Sequence, residues 1–279
     1  MRAHISTLLL AVTSLDAAAQ GTITSRVAQA PNGVVHLQYD GRAGVCGNGR
    51  DMVGYRNSYF ARNMQSYGTW HDAKCVPGPL RVTLSVAGGQ VTRVQTQVGG
   101  TWPDAEGRVT DLGTVQPRDA SAYFFSLVPL LETQGGKDRL LLPAVLAEDA
   151  PIIAPLLALA RDDARETNTR RDAMHWLGQL GDASVVAPLV GFAKSDTNDD
   201  DTGKSGRKSL ATAALAALSM IEGDVGIPAL IDLARSGSTV VRRDAVFWLG
   251  QTDDPRARAT LHAVIENREE QEQVRSHAI

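Results

Sequence analysis

The sequence predicts an α+β chain built as two domains, a small β-rich domain followed by an all-α solenoid. Two observations carry that prediction. Residues Arg170 to Gln179 and Arg242 to Gln251 are the same stretch apart from Met174/Val246 and His175/Phe247. A short helical unit copied along a chain buries its apolar face only by stacking on its copies, so an internal repeat of this kind implies a solenoid. Upstream, Leu80, Val82, Leu84 and Val86 alternate with Arg81, Thr83 and Ser85, the period of a half-buried strand.

The chain opens with Arg2 and His4, an apolar run from Leu8 to Val12, and Ala17-Ala18-Ala19. That order of charge, apolar run and small residues predicts a secretory signal over residues 1–19, cleaved after Ala19, with a run too short to span a bilayer. The expected destination is periplasmic or secreted. Nothing downstream has the length and apolarity of a membrane span, so membrane insertion is not expected.

Export governs the two cysteines. In an oxidising compartment Cys46 and Cys75 are expected to form a disulfide, worth roughly 3–4 kcal/mol on the chain-entropy account. The alternative is a metal site from His36, Cys46, His71 and Cys75, which has suitable ligand atoms but no tight Cys-x-x-Cys pair.

Residues 20–118 form the β-rich domain. Val34 to Asp40 is rich in strand formers, and Gly88-Gly89 separates two strand-like runs as in a hairpin. Leu112 to Val115 reads as a final strand before Pro117. Gly44 to Gly54 and Asn57 to Trp70 read as loop with a short helix.

Residues 119–279 form the solenoid. Leu177, Leu218 and Leu249 are equivalent positions, at intervals of 41 and 31, the longer interval holding an insertion from Asp196 to Gly206. Degenerate copies run from Lys208 to Leu218 and begin again at Val274. Asp149, Asp182, Asp224 and Asp254 each open an apolar segment, as N-cap residues do, and Pro255 stands at a first helical position. The unit is two antiparallel helices. Val274 to Ile279 restarts the second helix and stops, so the chain reads as a fragment whose solenoid is truncated at its C-terminus.

An Arg-x-x-Ala-x-x-x-Leu-Gly helix alternating with an Asp-led apolar helix resembles the HEAT-like repeats of the short bacterial type, over roughly Ala120 to Ile279. Tetratricopeptide repeats fit less well, because Trp176-Leu177-Gly178 and Trp248-Leu249-Gly250 are contiguous here. The resemblance implies that Arg170, Arg242 and Arg275 form a ladder of bonds to neighbouring units. Some families with this repeat are bilin lyases, an activity that nothing outside the repeat supports.

Several chemistries are excluded on residue grounds. Residues 22–118 carry ten basic and six acidic side chains, net +4, whereas 119–279 carry seventeen and twenty-four, net −7. A net acidic helical half argues against nucleic acid, which needs clustered Lys and Arg. Gly203-Lys204-Ser205 lacks the partner glycine of a phosphate loop. Asn198 to Gly203 resembles the start of a calcium loop, but its twelfth position is Ser209 rather than Glu. No Gly-x-Ser-x-Gly or His-Glu-x-x-His motif is present.

The expected function is therefore a non-enzymatic exported scaffold that needs no cofactor and binds another protein. Met174, His175, Val246 and Phe247, which vary inside an otherwise constant repeat, are the candidate partner surface. The alternative is an enzyme or enzyme subunit with a site at the junction of the two domains, near His36, His71 and Asp72.

Overall fold

The computed structural model describes residues 21–55, 58–61, 75–105, 107–132, 140–195 and 210–278. It is an α+β molecule in which a disulfide-containing β region precedes a helical region of HEAT-like repeats. The predicted signal, His71, Asp72 and the insertion from Asp196 to Gly206 lie outside the described residues.

The chain enters through helix α1 (Ile23–Ala28), capped by Thr22, whose Oγ1 accepts the Ser25 amide at 3.2 Å. This helix falls where the sequence read as β. Strands β1 (Gly33–Tyr39), β6 (Leu80–Ala87), β7 (Gln90–Val98) and β8 (Val109–Thr114) form the larger sheet, in the order β7-β6-β1-β8. The anticipated β6–β7 hairpin turns at Gly88 and Gly89, both at positive φ (60° and 74°), as a two-residue hairpin turn requires. The last strand begins earlier than its apolar residues imply, and it runs parallel to β1, so residues between β7 and β8 must cross the sheet.

Strands β2 (Val45–Gly47), β3 (Met52–Tyr55), β4 (Ser58–Ala61) and β5 (Val76–Pro77) make a second sheet, ordered β4-β3-β2-β5. The sequence read as loop here, because the glycines around Cys46 mask the strand pattern. The side chain of Asn48 organises the β2–β3 turn: its Oδ1 accepts the amides of Arg50, Asp51 and Met52 at 3.0–3.1 Å.

Helix α2 (Pro117–Leu131) lies on the larger sheet and buries Ala120, Tyr123, Phe124, Leu127, Val128 and Leu131. Helix α3 (Leu142–Val145) follows. From β1 the ring of Tyr39 meets that of Phe124 at 6.0 Å, and its hydroxyl donates to the Pro143 carbonyl at 2.7 Å. Just beyond β1, Arg42 donates from Nε to the Val145 carbonyl and from Nη2 to the Ala150 carbonyl, both at 2.7 Å. Buried residues run without interruption from the sheet through α2 and α3 into the repeats, so the β and helical regions share one core.

The repeats are pairs of helices: α4 (Ile153–Arg161) with α5 (Thr167–Leu180), α6 (Val186–Ser195) with α7 (Leu210–Met220), α8 (Ile227–Ser236) with α9 (Thr239–Gly250), and α10 (Pro255–Glu266) with α11 (Glu272–Arg275). The second helices stack directly, α5 on α7, α7 on α9 and α9 on α11. Leu177, Leu218 and Leu249 are all buried, in the register the repeat predicts. Asp182 and Asp254 do cap, accepting the amides of Ser184 at 2.8 Å and Arg256 at 2.7 Å. Asp149 and Asp224 do not: both sit at positive φ (49° and 55°) in the turn before the helix, a conformation that Asp tolerates better than most residues.

Candidate functional site

The second helices position the candidate surface. Met174 and Val246 are fully buried, so they are not surface residues. Each lies three residues before a core leucine, Leu177 or Leu249, and residues three apart share a helix face. Sequence variation at this position reflects core packing rather than recognition.

His175 and Phe247 are one residue further on; Phe247 is exposed, whereas His175 is half-buried. Phe247 is 43% exposed, among the few large apolar side chains in contact with solvent. Its ring meets Trp248 edge-on at 5.2 Å and 79°. His175 repeats the arrangement on Trp176, at 5.6 Å and 74°. Burial pushes the His175 imidazole below its ordinary value. By the register of the leucines, Ala216 on α7 occupies the equivalent place between them. In register the three equivalent positions are therefore His175, Ala216 and Phe247, half-buried at the first two and exposed at the third.

One turn earlier, the row is polar. Thr212 Oγ1 on α7 donates to Asp244 Oδ2 on α9 at 2.7 Å, and Arg243 Nε pairs with Asp244 Oδ1 at 2.9 Å. The Thr212–Asp244 bond ties α7 to α9, and the Arg243 pair holds the Asp244 carboxylate from within α9.

Of the three ladder arginines, Arg242 reaches the neighbouring unit, whereas the bonds of Arg170 and Arg275 stay within their own units. Arg170 Nε donates to the Ala160 carbonyl at 3.0 Å and Nη1 pairs with Asp163 at 2.6 Å, both within its own unit. Arg275 Nη1 donates to the Glu270 carbonyl at 3.4 Å, again within its unit. Arg242 donates to the Gly237 carbonyl at 3.4 Å, and it also reaches Glu270 of the following unit at 2.8 Å. The physical reason is local. For Arg170 and Arg242, the preceding helix leaves its last carbonyls without internal partners, and an arginine in the first turn of the next helix lies within reach of them; Arg275 instead bonds to the turn beyond α10.

In the β region, Cys46 and Cys75 form the expected disulfide, with Cα atoms 5.1 Å apart and 29 residues separating them in sequence. Both thiolates that the metal alternative requires are consumed by it. His36 lies on the opposite face of β1 from Tyr39 and so points away from the junction with the helices. It stacks on Trp102, ring centroids 4.1 Å apart and 5° from parallel. Trp102, Arg81 and Gln97, which build this corner, were not singled out by the sequence; the Gly99-Gly100 pair before Thr101-Trp102-Pro103 is the local signal of a tight turn there.

Residues 241–267, which span most of α9 and all of α10, match the PBS lyase HEAT-like repeat family. No curated protein sequence matches the chain. Similar solved structures include the complex of CpcE and CpcF of phycocyanin lyase from Nostoc sp. PCC7120, at 14% identity over 57% of this chain and 95% of that chain, with a TM-score of 0.32. Human deoxyhypusine hydroxylase in complex with glycerol aligns at 18% identity over 57% of this chain and 67% of that chain, with a TM-score of 0.24. Superpositions this loose carry no functional argument.

Proposed function

We propose that this HEAT-like repeat protein is an exported scaffold without catalytic activity, which binds another protein through the face formed by α5, α7 and α9. The observation that carries the reading is Phe247, a large apolar ring 43% exposed on a repeat helix whose buried positions are otherwise fully used. Exposed aromatic side chains of this kind concentrate binding energy at protein interfaces. Among the described residues no helix is long and apolar enough to cross a membrane. The junction enzyme reading gains no support from His36, which faces away from the helices.

The experiment is capture from periplasmic extract on immobilised wild-type protein and on Phe247→Ala, with thermal melts of both. The expected result is a captured protein whose affinity falls by roughly 30-fold or more in the variant, the scale of an interface hot spot. A variant that folds and retains every wild-type partner at full affinity overturns the reading. Export is tested separately by N-terminal sequencing of the mature protein, expected to begin after Ala19; a mature protein beginning at Met1 overturns it.

A further inference from the structure

On the face of the larger sheet turned away from α2, His36 sits in register with Thr83 on β6 and Asp111 on β8. Its side chain is 6% exposed, and its Nε2 is buried with no hydrogen-bond partner among the described residues. The cover is Trp102, carried by the segment that crosses from β7 to β8. Two polar side chains clamp that segment. Gln97 Nε2 donates to the carbonyls of Gly49, Gly99 and Thr101 at 3.2, 3.1 and 2.8 Å. Arg81 donates to the Gly100 carbonyl and, at 3.2 Å, to Gln38 Oε1, with its guanidinium carbon 5.3 Å from the Trp102 ring centroid.

We propose that His36 and Trp102 form a pH-sensitive latch, in which the neutral imidazole seats Trp102 on the sheet and protonation releases the segment of residues 99–102. A neutral ring stacked on indole satisfies its apolar surroundings. An imidazolium carries a charged N–H at Nε2, where no acceptor stands, and a buried unpaired donor of that kind is costly. The charged groups around it do not remove that cost. Asp111, opposite on β8, favours protonation, but it is exposed and its Oδ1 accepts the Gly113 amide at 2.8 Å. Arg81 on β6 is a cation and opposes protonation. Asp104 and Arg108 on the crossing segment are exposed and of opposite sign. Burial therefore outweighs Asp111, and the imidazole titrates below its ordinary value of 6.5.

The sign follows from linkage. Where the closed state lowers the histidine pKa, closure is at full strength above the open-state value near 6.5 and weakens as pH falls through and below it. The latch lies on the β region and is independent of the recognition face proposed above.

Hydrogen–deuterium exchange on the full chain tests it, read as protection factors for peptides covering residues 98–105 at pH 7.5 and pH 5. Protection there is expected to fall by roughly threefold or more at the lower pH, since each pH unit of differential protonation is worth a factor of ten. Peptides from α5 and α9 are expected to stay unchanged. His36→Phe keeps an aromatic ring but no titrating proton, and is expected to remove the pH dependence. Constant protection in the wild type, or the same loss in the variant, overturns the proposal. Direct NMR titration of His36 in the wild type serves if the variant does not fold: a value at or above 6.5 overturns the latch, and a lower one supports it.

Discussion

Two glycines at the same place in the repeat are predicted to respond in opposite senses to the same substitution. Gly178 ends the Trp-Leu-Gly of α5 and Gly250 that of α9. A Cβ on Gly178 would lie 2.7 Å from the Ala217 carbonyl oxygen, 2.8 Å from its Cα and 3.1 Å from its carbonyl carbon. All three are backbone atoms of α7, which cannot rotate aside. Carbon contacts are comfortable at about 3.5–4.0 Å, so α5 and α7 must part by most of an ångström along a packed interface. Overpacking of this kind costs about 1–3 kcal/mol. Alanine recovers up to about 1 kcal/mol of helix propensity. With the full recovery, Gly178→Ala is therefore expected to lose up to about 2 kcal/mol net. A Cβ on Gly250 meets nothing within 4 Å. There only the propensity gain applies, and Gly250→Ala is expected to be neutral or stabilising by up to about 1 kcal/mol. Urea unfolding followed at 222 nm measures both, with midpoints compared at constant slope. If Gly178→Ala proves as stable as Gly250→Ala, the close approach of α5 and α7 is not what the glycine serves.

Other predictions follow from the same structure. Because sheet and helices share one core, Cys46→Ser is expected to lose roughly 3–4 kcal/mol while leaving a single transition, with near- and far-ultraviolet circular dichroism melting together; two separate transitions refute the shared core. The Asp254 carboxyl, hydrogen-bonded by Arg256, is held down to about 2. A carboxylate with a lowered pKa contributes stability above its ordinary value, and the contribution disappears as pH falls through the lowered one. Asp254→Ala is therefore expected to melt earlier than wild type at pH 7, with the gap closing toward pH 2; a gap independent of pH refutes the charged cap.

The helical half was legible in the sequence because its code is local. Leu177, Leu218 and Leu249 mark a buried line, and helical spacing converts that line directly into packing. The same periodicity, read finely, also separates Met174 from His175: a residue three before a core leucine faces inward. Variation made both members of each pair candidates for the partner surface, and Met174 and Val246 are buried. The β region was legible where strand formers concentrate, as in β1, or alternate cleanly, as in β6. Strands β2 and β3 are short, and their shape depends on one Asn48 side chain gathering three amides, which no pattern of apolar residues announces. The His36–Trp102 stack joins residues 66 positions apart through a parallel crossover. Long-range contacts of that kind leave no periodic trace. Among the arginines, Arg170 and Arg242 bond to carbonyls at the end of the preceding helix, Arg275 bonds to the turn beyond α10, and Arg242 also reaches the following unit.

The paired variable positions of the repeat have a consequence for how such an array changes over generations. In each pair one residue, Met174 or Val246, answers to the interior, while its neighbour is half-buried at His175 and exposed at Phe247. A change at the first must be negotiated with every neighbour in the stack. A change at Phe247 falls mainly on the chemistry displayed to solvent. The repeat thus leaves an editable letter on α9, which can be rewritten without touching the grammar that folds the array.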